Sequence, residues 1–171
     1  MHFEIMNRES ARRYSYEPHF DKSVIVSISD AGASRNKFGD SKKYGSGLVD
    51  VLFLFFDDVE AGEPNPISRS DAAAIADFVK RYEKTVDKII VHCNAGVSRS
   101  AGVCAAIMKY MTGDDMAVFG KAFYCPNSTC YRYVLEALLG VYELAPQDED
   151  EFRKKISHNV RLWIEGAELN S

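Results

Sequence analysis

Apolar residues along the chain fall into short runs bounded by glycine, aspartate or serine. Two runs rich in β-branched and aromatic residues, 23–29 (SVIVSIS) and 48–56 (LVDVLFLFF), predict strands, the second buried on both faces. The runs 88–93 (KIIVHC) and 3–6 (FEIM) predict two more strands. The pattern therefore indicates a sheet of four to five strands.

Helical periodicity appears between and after these runs. Ser70 is predicted to cap a helix over 71–84, and a helix rich in small residues is predicted over 98–111. Further helices are predicted over 114–123, 127–144 and 148–169, with a short turn capped by Asn7 that carries Arg8, Arg12 and Arg13. Strands interleaved with helices predict an α/β fold, as one domain over 1–171 with a central, mainly parallel sheet flanked by helices.

A long polar segment, residues 30–47, separates the two strongest strands. It contains four glycines and four basic residues, Arg35, Lys37, Lys42 and Lys43. Loops of this length in compact domains are usually functional or mobile. Because the segment follows the carboxyl end of a strand, it could form one wall of a site there, and a solvated surface loop is the alternative.

Composition limits the partners of the protein. The chain has 171 residues, 46% of them hydrophobic, which suits one domain with a substantial core. A net charge of -4 argues against binding to nucleic acid, so any anion site must be local. No apolar run approaches the roughly 20 residues of a membrane span, and the first residues lack a signal-peptide pattern. We expect a cytoplasmic protein with no membrane partner.

Four cysteines, Cys93, Cys104, Cys125 and Cys130, show none of the spacing of a secreted disulfide framework. Cys125 and Cys130 form a C-x4-C pair, but without a second pair or nearby histidines this spacing does not define a zinc site. We therefore expect reduced thiols, no metal and no cofactor.

One of these cysteines lies in an unusual context, the segment 91–102 (VHCNAGVSRSAG). It predicts a strand ending at Cys93, a short loop, and a helix beginning near Arg99. The loop residues Asn94, Ala95, Gly96, Val97 and Ser98 can turn their amides inward as a ring of donors, because a helix N-terminus favours anions. Arg99 can grip two oxyanion oxygens, and the same donors should lower the pKa of Cys93. The segment therefore predicts a phosphate cradle with a nucleophilic thiolate.

The motif HCNAGVSRS resembles the H-C-x5-R-S/T active-site loop of the cysteine-dependent protein tyrosine phosphatases, and of their dual-specificity branch in particular. The resemblance implies a phosphatase with Cys93 as the nucleophile and Arg99 as the clamp for phosphate and the transition state. It also implies that His92 orients and tunes the thiolate and that Ser100 assists turnover of the phosphocysteine. Phosphate, vanadate or sulfate would occupy such a site.

A leaving oxygen needs a proton, so the mechanism requires a general acid on another loop. The segment 55–64 (FFDDVEAGEP) has two adjacent carboxylates at a strand end and is similar to the acid loop of several small phosphatases of this superfamily. The resemblance favours Asp58, with Asp57 second and Glu60 third. Aspartates that only cap a strand in solvent are the alternative.

The segment 125–138 (CPNSTCYRYVLEAL) resembles the Pro-Asn and following helix that pack against the phosphate loop in dual-specificity enzymes. Asn127 is therefore either a residue that bonds the loop backbone or only the N-cap of the helix, and the sequence does not separate the two.

The substrate implied by the resemblance is a phosphoprotein or phosphopeptide, with phosphotyrosine before phosphoserine or phosphothreonine. Phosphoinositide phosphatases of the superfamily tend to carry lysines within the loop, and none lies between Cys93 and Arg99. An acidic chain is also a poor RNA 5′-phosphatase. A binding module that recognises phosphoprotein without turnover is the alternative from another class.

Overall fold

The computed structural model describes residues 1–141 together with 143, 150, 151, 153–155, 157, 158, 161 and 165. The strands in these ranges are β1 (His2–Asn7), β2 (Ser23–Ser29), β3 (Leu48–Phe55) and β4 (Lys88–Cys93). The helices are α1 (Arg8–Tyr14), α2 (Ser41–Tyr44), α3 (Arg69–Tyr82), α4 (Arg99–Thr112), α5 (Met116–Phe119) and α6 (Ser128–Leu139). The helix predicted over 148–169 falls largely outside the described residues.

The four described strands form one parallel sheet in the order β1-β4-β2-β3. This confirms the predicted α/β fold with a parallel central sheet flanked by helices. The prediction that β3 is buried on both faces was wrong, since it is an edge strand of this sheet whose Val49 and Phe55 are exposed. One aromatic residue of this edge strand, Phe53, packs against Phe38 with ring centroids 5.9 Å apart.

Alternate residues of the central strands enter two different cores, as the two-residue period of a strand requires. Val24, Val26 and Ile28 of β2 pack into the main core, to which α3, α4 and α6 contribute their apolar faces. Ile25 and Ile90 face the opposite side, where they pack with Tyr14 of α1. Both faces of the sheet are therefore covered, and its carboxyl edge remains for a site.

Three helix boundaries differ from the predictions. The N-cap of α3 is Ser68 rather than Ser70, because Ser68 and Asp71 form a reciprocal capping box. The helix predicted over 114–123 is reduced to the single turn α5, where Asp115 is buried and bonded to the Tyr131 hydroxyl at 2.7 Å. Helix α6 ends at Gly140, whose left-handed φ of 71° stops it before the predicted residue 144.

The long segment 30–47 is tied to the body of the protein. The Asn36 amide donates to the hydroxyls of Ser27 and Ser29 at 3.1 Å each, and the Gly39 N–H donates to Ser15 Oγ at 2.8 Å. The segment is therefore packed along the sheet, and its lysines Lys42 and Lys43 lie on the short helix α2. Its contribution to a pocket wall stays a prediction.

Candidate active site

The loop between β4 and α4 lies at the carboxyl edge of the sheet, as predicted. Gly96 occupies the left-handed region with φ of 75°, and an added Cβ would lie 2.8 Å from the backbone of Met6 and Asn7. A side chain at this position would therefore be strained and would push the loop away from the end of β1.

The backbone of this loop is held from outside through its carbonyl oxygens. Asn94 O accepts from the N–H of Arg8 (3.2 Å), Val97 O from that of Cys125 (3.1 Å) and Ser98 O from that of Asn127 (3.2 Å). The Ser98 side chain forms no cap on α4, so it leaves the first N–H groups of that helix facing the loop. With these carbonyls bonded outside the loop, the N–H groups of Gly96, Val97 and Ser100 are directed at Cys93.

Cys93 is buried at the floor of this loop, where donors converge on its sulfur. Ser100 Oγ lies 3.1 Å from Sγ, and the Gly96 N–H donates to Sγ at 3.3 Å. Burial acts to raise the pKa of Cys93, but these donors and the N–H groups of Ser100 and Val97 outweigh it, so the pKa lies below that of an ordinary thiol. The arrangement therefore stabilises a thiolate.

His92, on β4, is fully buried and faces Ser27 of the neighbouring strand β2. Its Nδ1 lies 3.3 Å from the carbonyl oxygen of Cys93 and its Nε2 lies 2.8 Å from Ser27 Oγ. Because a carbonyl only accepts, Nδ1 carries the proton and Nε2 accepts from the Ser27 hydroxyl. Burial lowers the pKa of His92 to about 4, so the ring is neutral near pH 7 and orients the backbone of Cys93.

Arg99 is 3% exposed, and its guanidinium is anchored by two bonds. Its Nη1 donates to the carbonyl oxygen of Phe56 at 2.7 Å, and its Nη2 lies 2.8 Å from Asp30 Oδ1. Its Nε is buried and has no hydrogen-bond acceptor among the residues that the structure describes. The guanidinium is therefore fixed in place with an unused donor that an oxyanion would satisfy.

Asp30, directly after β2, links Arg99 to the loop between β4 and α4. Its Oδ2 accepts from the Asn94 amide at 2.7 Å, and the Asn94 Oδ1 accepts from the Arg8 guanidinium. The Asn94 amide, and after it Arg99, hold the pKa of Asp30 below its ordinary value. Asp30 was not among the predicted site residues, although its position after a strand of a parallel sheet puts it at the edge where Cys93 lies.

Asp58, on the loop between β3 and α3, lies next to Ser98 of the loop between β4 and α4. Its Oδ1 accepts from Ser98 Oγ at 2.7 Å and from the Asn127 amide at 3.2 Å. Its Oδ2 has no described bond to another side chain, so that oxygen is available to a ligand. Asp58 therefore contacts the loop that contains Cys93 and Arg99.

The other two candidate acids are used elsewhere. Asp57 accepts from the Ala31 N–H at 2.9 Å and from the Asn65 amide at 3.2 Å, so it fixes the base of the acid loop. Glu60 accepts from the backbone and hydroxyl groups of Ser128 and Thr129 at the start of α6. Neither has a described bond to the phosphate loop.

Asn127 combines the two interpretations that the sequence left open. Its Oδ1 accepts from the Cys130 N–H and caps α6, while its amide donates to the acid loop at Asp58 and Val59. The bond to the phosphate loop comes from its backbone N–H. Gly102 of α4 permits this close approach, because an added Cβ would lie 2.5 Å from Asn127 O.

The remaining three cysteines have raised thiol pKa values, which disfavour a thiolate. Burial raises the pKa of Cys104 to about 12 and raises those of Cys125 and Cys130. Within the described part of the chain, no cluster of histidine, cysteine or acidic side chains could hold a metal ion. No helix there is long and apolar enough to cross a bilayer.

No family model matches the chain, and no curated protein matches it either. Among solved structures, PTPMT1 in complex with PI(5)P superposes with a TM-score of 0.51 at 15% identity, covering 81% of this chain and 91% of that chain. The active form of Tk-PTP gives 0.45 at 17% identity, over 90% and 88% of the two chains. The Yvh1 phosphatase domain from Chaetomium thermophilum gives 0.37 at 15% identity, over 86% and 80%. The superposition on PTPMT1 shows that this chain shares the fold of that protein, and this agrees with the predicted α/β fold with a parallel central sheet flanked by helices.

Proposed function

We propose that the protein is a phosphatase that hydrolyses phosphomonoesters through a phosphocysteine intermediate. The observation that carries this proposal is the pairing of two groups in one loop. Cys93 has a pKa below that of an ordinary thiol, and Arg99 has a buried Nε without an acceptor in the described part of the chain. A nucleophile beside a fixed, unsatisfied cationic donor suits attack on a phosphate ester.

In the first step, the Cys93 thiolate attacks phosphorus and the bond from phosphorus to the leaving oxygen breaks. Asp58 transfers its proton to that oxygen, so the product leaves as an alcohol or phenol. In the second step, water attacks the phosphocysteine while Asp58 accepts a proton from it, and the phosphorus–sulfur bond breaks. Ser100 Oγ, 3.1 Å from Sγ, stabilises the departing thiolate, and inorganic phosphate is released.

The other residues of the loop bind the phosphoryl group. We assign its three non-bridging oxygens to Arg99 and to the amides of Asn94, Ala95, Gly96, Val97 and Ser98. Neutral His92 orients the Cys93 backbone, and Asn127 and Asp57 support the acid loop. These groups belong to the protein, so the chemistry requires no metal or cofactor.

We propose a phosphoprotein or phosphopeptide as the substrate, with phosphotyrosine first and phosphoserine or phosphothreonine as a broader range. The loop between Cys93 and Arg99 contains no lysine to hold additional phosphates. A specific observation favours a second candidate, a phosphoinositide, because PTPMT1 was crystallised with PI(5)P.

A substrate panel tests the proposal. We expect hydrolysis of an aryl phosphate and of phosphotyrosine peptides with a chelator present, inhibition by vanadate, and inactivation by thiol alkylation. Turnover of a phosphoinositide in preference to every phosphopeptide would replace the protein substrate with a lipid. Dependence on magnesium or zinc, or phosphopeptide binding without any turnover from pH 5 to 8, would contradict the mechanism.

The Asp58→Asn variant tests the assignment of the general acid. We expect its rate on peptide and alkyl phosphates to fall by roughly 100-fold or more, because these leaving groups need a proton. Activated aryl phosphates should be spared by comparison, and the loss of activity at high pH should disappear. A larger effect in Asp57→Asn, or an equal loss on both substrate types in Asp58→Asn, would overturn the assignment.

A further inference from the structure

The general-acid loop, residues 56–68 between β3 and α3, contains no helix or strand. A proton donor works only within hydrogen-bond reach of the leaving oxygen, so the position of this loop controls protonation of the leaving group in the first step. Irregular segments move unless side-chain or backbone bonds tie them down. The bonds that hold this loop therefore matter for catalysis.

The strongest of these bonds involve Glu60, which caps α6 from outside the helix. Its Oε2 accepts from Ser128 Oγ at 2.6 Å, from the Thr129 N–H at 3.0 Å and from Thr129 Oγ1 at 2.5 Å. Its Oε1 accepts from the Ser128 N–H at 3.2 Å. These N–H groups have no partner within their own helix, and a carboxylate at the positive end of a helix dipole satisfies them.

Three further bonds join the same two segments. The Ala61 N–H donates to Thr129 Oγ1 at 2.9 Å, and the Asn127 amide donates to Val59 O at 3.1 Å and to Asp58 at 3.2 Å. The start of α6 is itself bonded to the phosphate loop, through the Asn127 N–H and Ser98 O. The acid loop and the phosphate loop are therefore connected to one rigid helix end.

We infer that Glu60 is a positioning residue for the general acid, whose carboxylate holds the acid loop on α6 and so keeps Asp58 beside the phosphate loop. The inference rests on the proposed role of Asp58. Glu60 lies two residues from Asp58 and does not contact the phosphate loop, so it acts through Asp58 and not on the substrate. A residue that only caps the helix would stabilise α6 without affecting proton transfer.

The test compares Glu60→Gln with Glu63→Gln, the same change on an exposed residue of the same loop whose side chain makes no described bond. In Glu60→Gln, an amide replaces the charged acceptor, and we expect the rate on peptide phosphates to fall about ten-fold, with activated aryl phosphates changed less than about two-fold. Glu63→Gln should match the wild type on both. Thr129→Val, which preserves net charge and shape, should repeat the pattern of Glu60→Gln.

Amide hydrogen exchange gives a readout that does not depend on activity. We expect faster exchange at Ala61, Ser128 and Thr129 in Glu60→Gln, and unchanged exchange in Glu63→Gln. Unchanged exchange in Glu60→Gln would overturn the inference. Faster exchange together with equal rate losses on both substrate types would also overturn it, because Glu60 would then act only as a helix cap. If Asp58→Asn does not lose more activity on peptide phosphates than on activated aryl phosphates, the proposed role of Asp58 is wrong. If Asp58→Asn shows this difference and Glu60→Gln does not, only the inference about Glu60 is wrong.

Discussion

Cys93→Ser is expected to reduce turnover of every phosphate ester by at least about 10⁴-fold while preserving the binding of phosphate or vanadate. A serine hydroxyl remains protonated under the donors that stabilise the Cys93 thiolate, so it provides no comparable nucleophile. The amides of the loop and Arg99 are unaffected by the change and continue to bind the anion. Steady-state kinetics with an aryl phosphate, together with calorimetric titration of vanadate, measure the two properties.

Cys125→Ser is the matched control, since Cys125 is half-buried and its pKa is raised rather than lowered. It should retain near-normal activity. Alkylation supplies a second check, because a lowered pKa makes Cys93 reactive at pH values where an ordinary thiol, with a pKa of about 8.5, is protonated. Appreciable turnover by Cys93→Ser would contradict the assignment of Cys93 as the nucleophile. The same holds if the alkylation rate of Cys93 rises with pH only around the pKa of an ordinary thiol.

Arg99→Lys is expected to lower kcat/KM by about 10³-fold and to weaken vanadate binding as well. The Arg99 guanidinium bonds Phe56 O through Nη1 and Asp30 through Nη2 and leaves Nε for the anion, whereas a lysine provides one ammonium group for all three. The transition state, which carries more charge on its equatorial oxygens than the substrate, should suffer most. Kinetics on an aryl phosphate and titration with vanadate separate the loss of catalysis from the loss of binding.

Arg13→Lys provides the corresponding control on the exposed surface of α1. It should leave both properties unchanged, because the charge is preserved and no described side-chain bond is lost. Near-normal rates in Arg99→Lys would show that a point charge is sufficient, and Arg99 would then not be the clamp.

The strands and the main helices could be predicted from the sequence because their signals are local. The apolar runs of β2 and β4 and the spacing in α4 depend on residues that are close in the chain, and the structure places these elements within one residue of the predicted bounds. The position of β3 at the edge of the sheet could not be predicted, since strand order depends on contacts between distant segments. The N-cap of α3 was missed because two serines compete there, and the pairing of Ser68 with Asp71 decides between them.

For the site, the sequence by itself determined which chemical groups are present: a cysteine, an arginine six residues later, and a glycine between a strand and a helix. Their spacing is short enough for the local backbone to bring them together. Only the tertiary structure decided that Asp30 fixes Arg99, that Ser27 fixes His92, and that Glu60 bonds the start of α6. These partners are separated by about 65 to 70 residues, and no local pattern specifies which carboxylate meets which donor once the chain has packed.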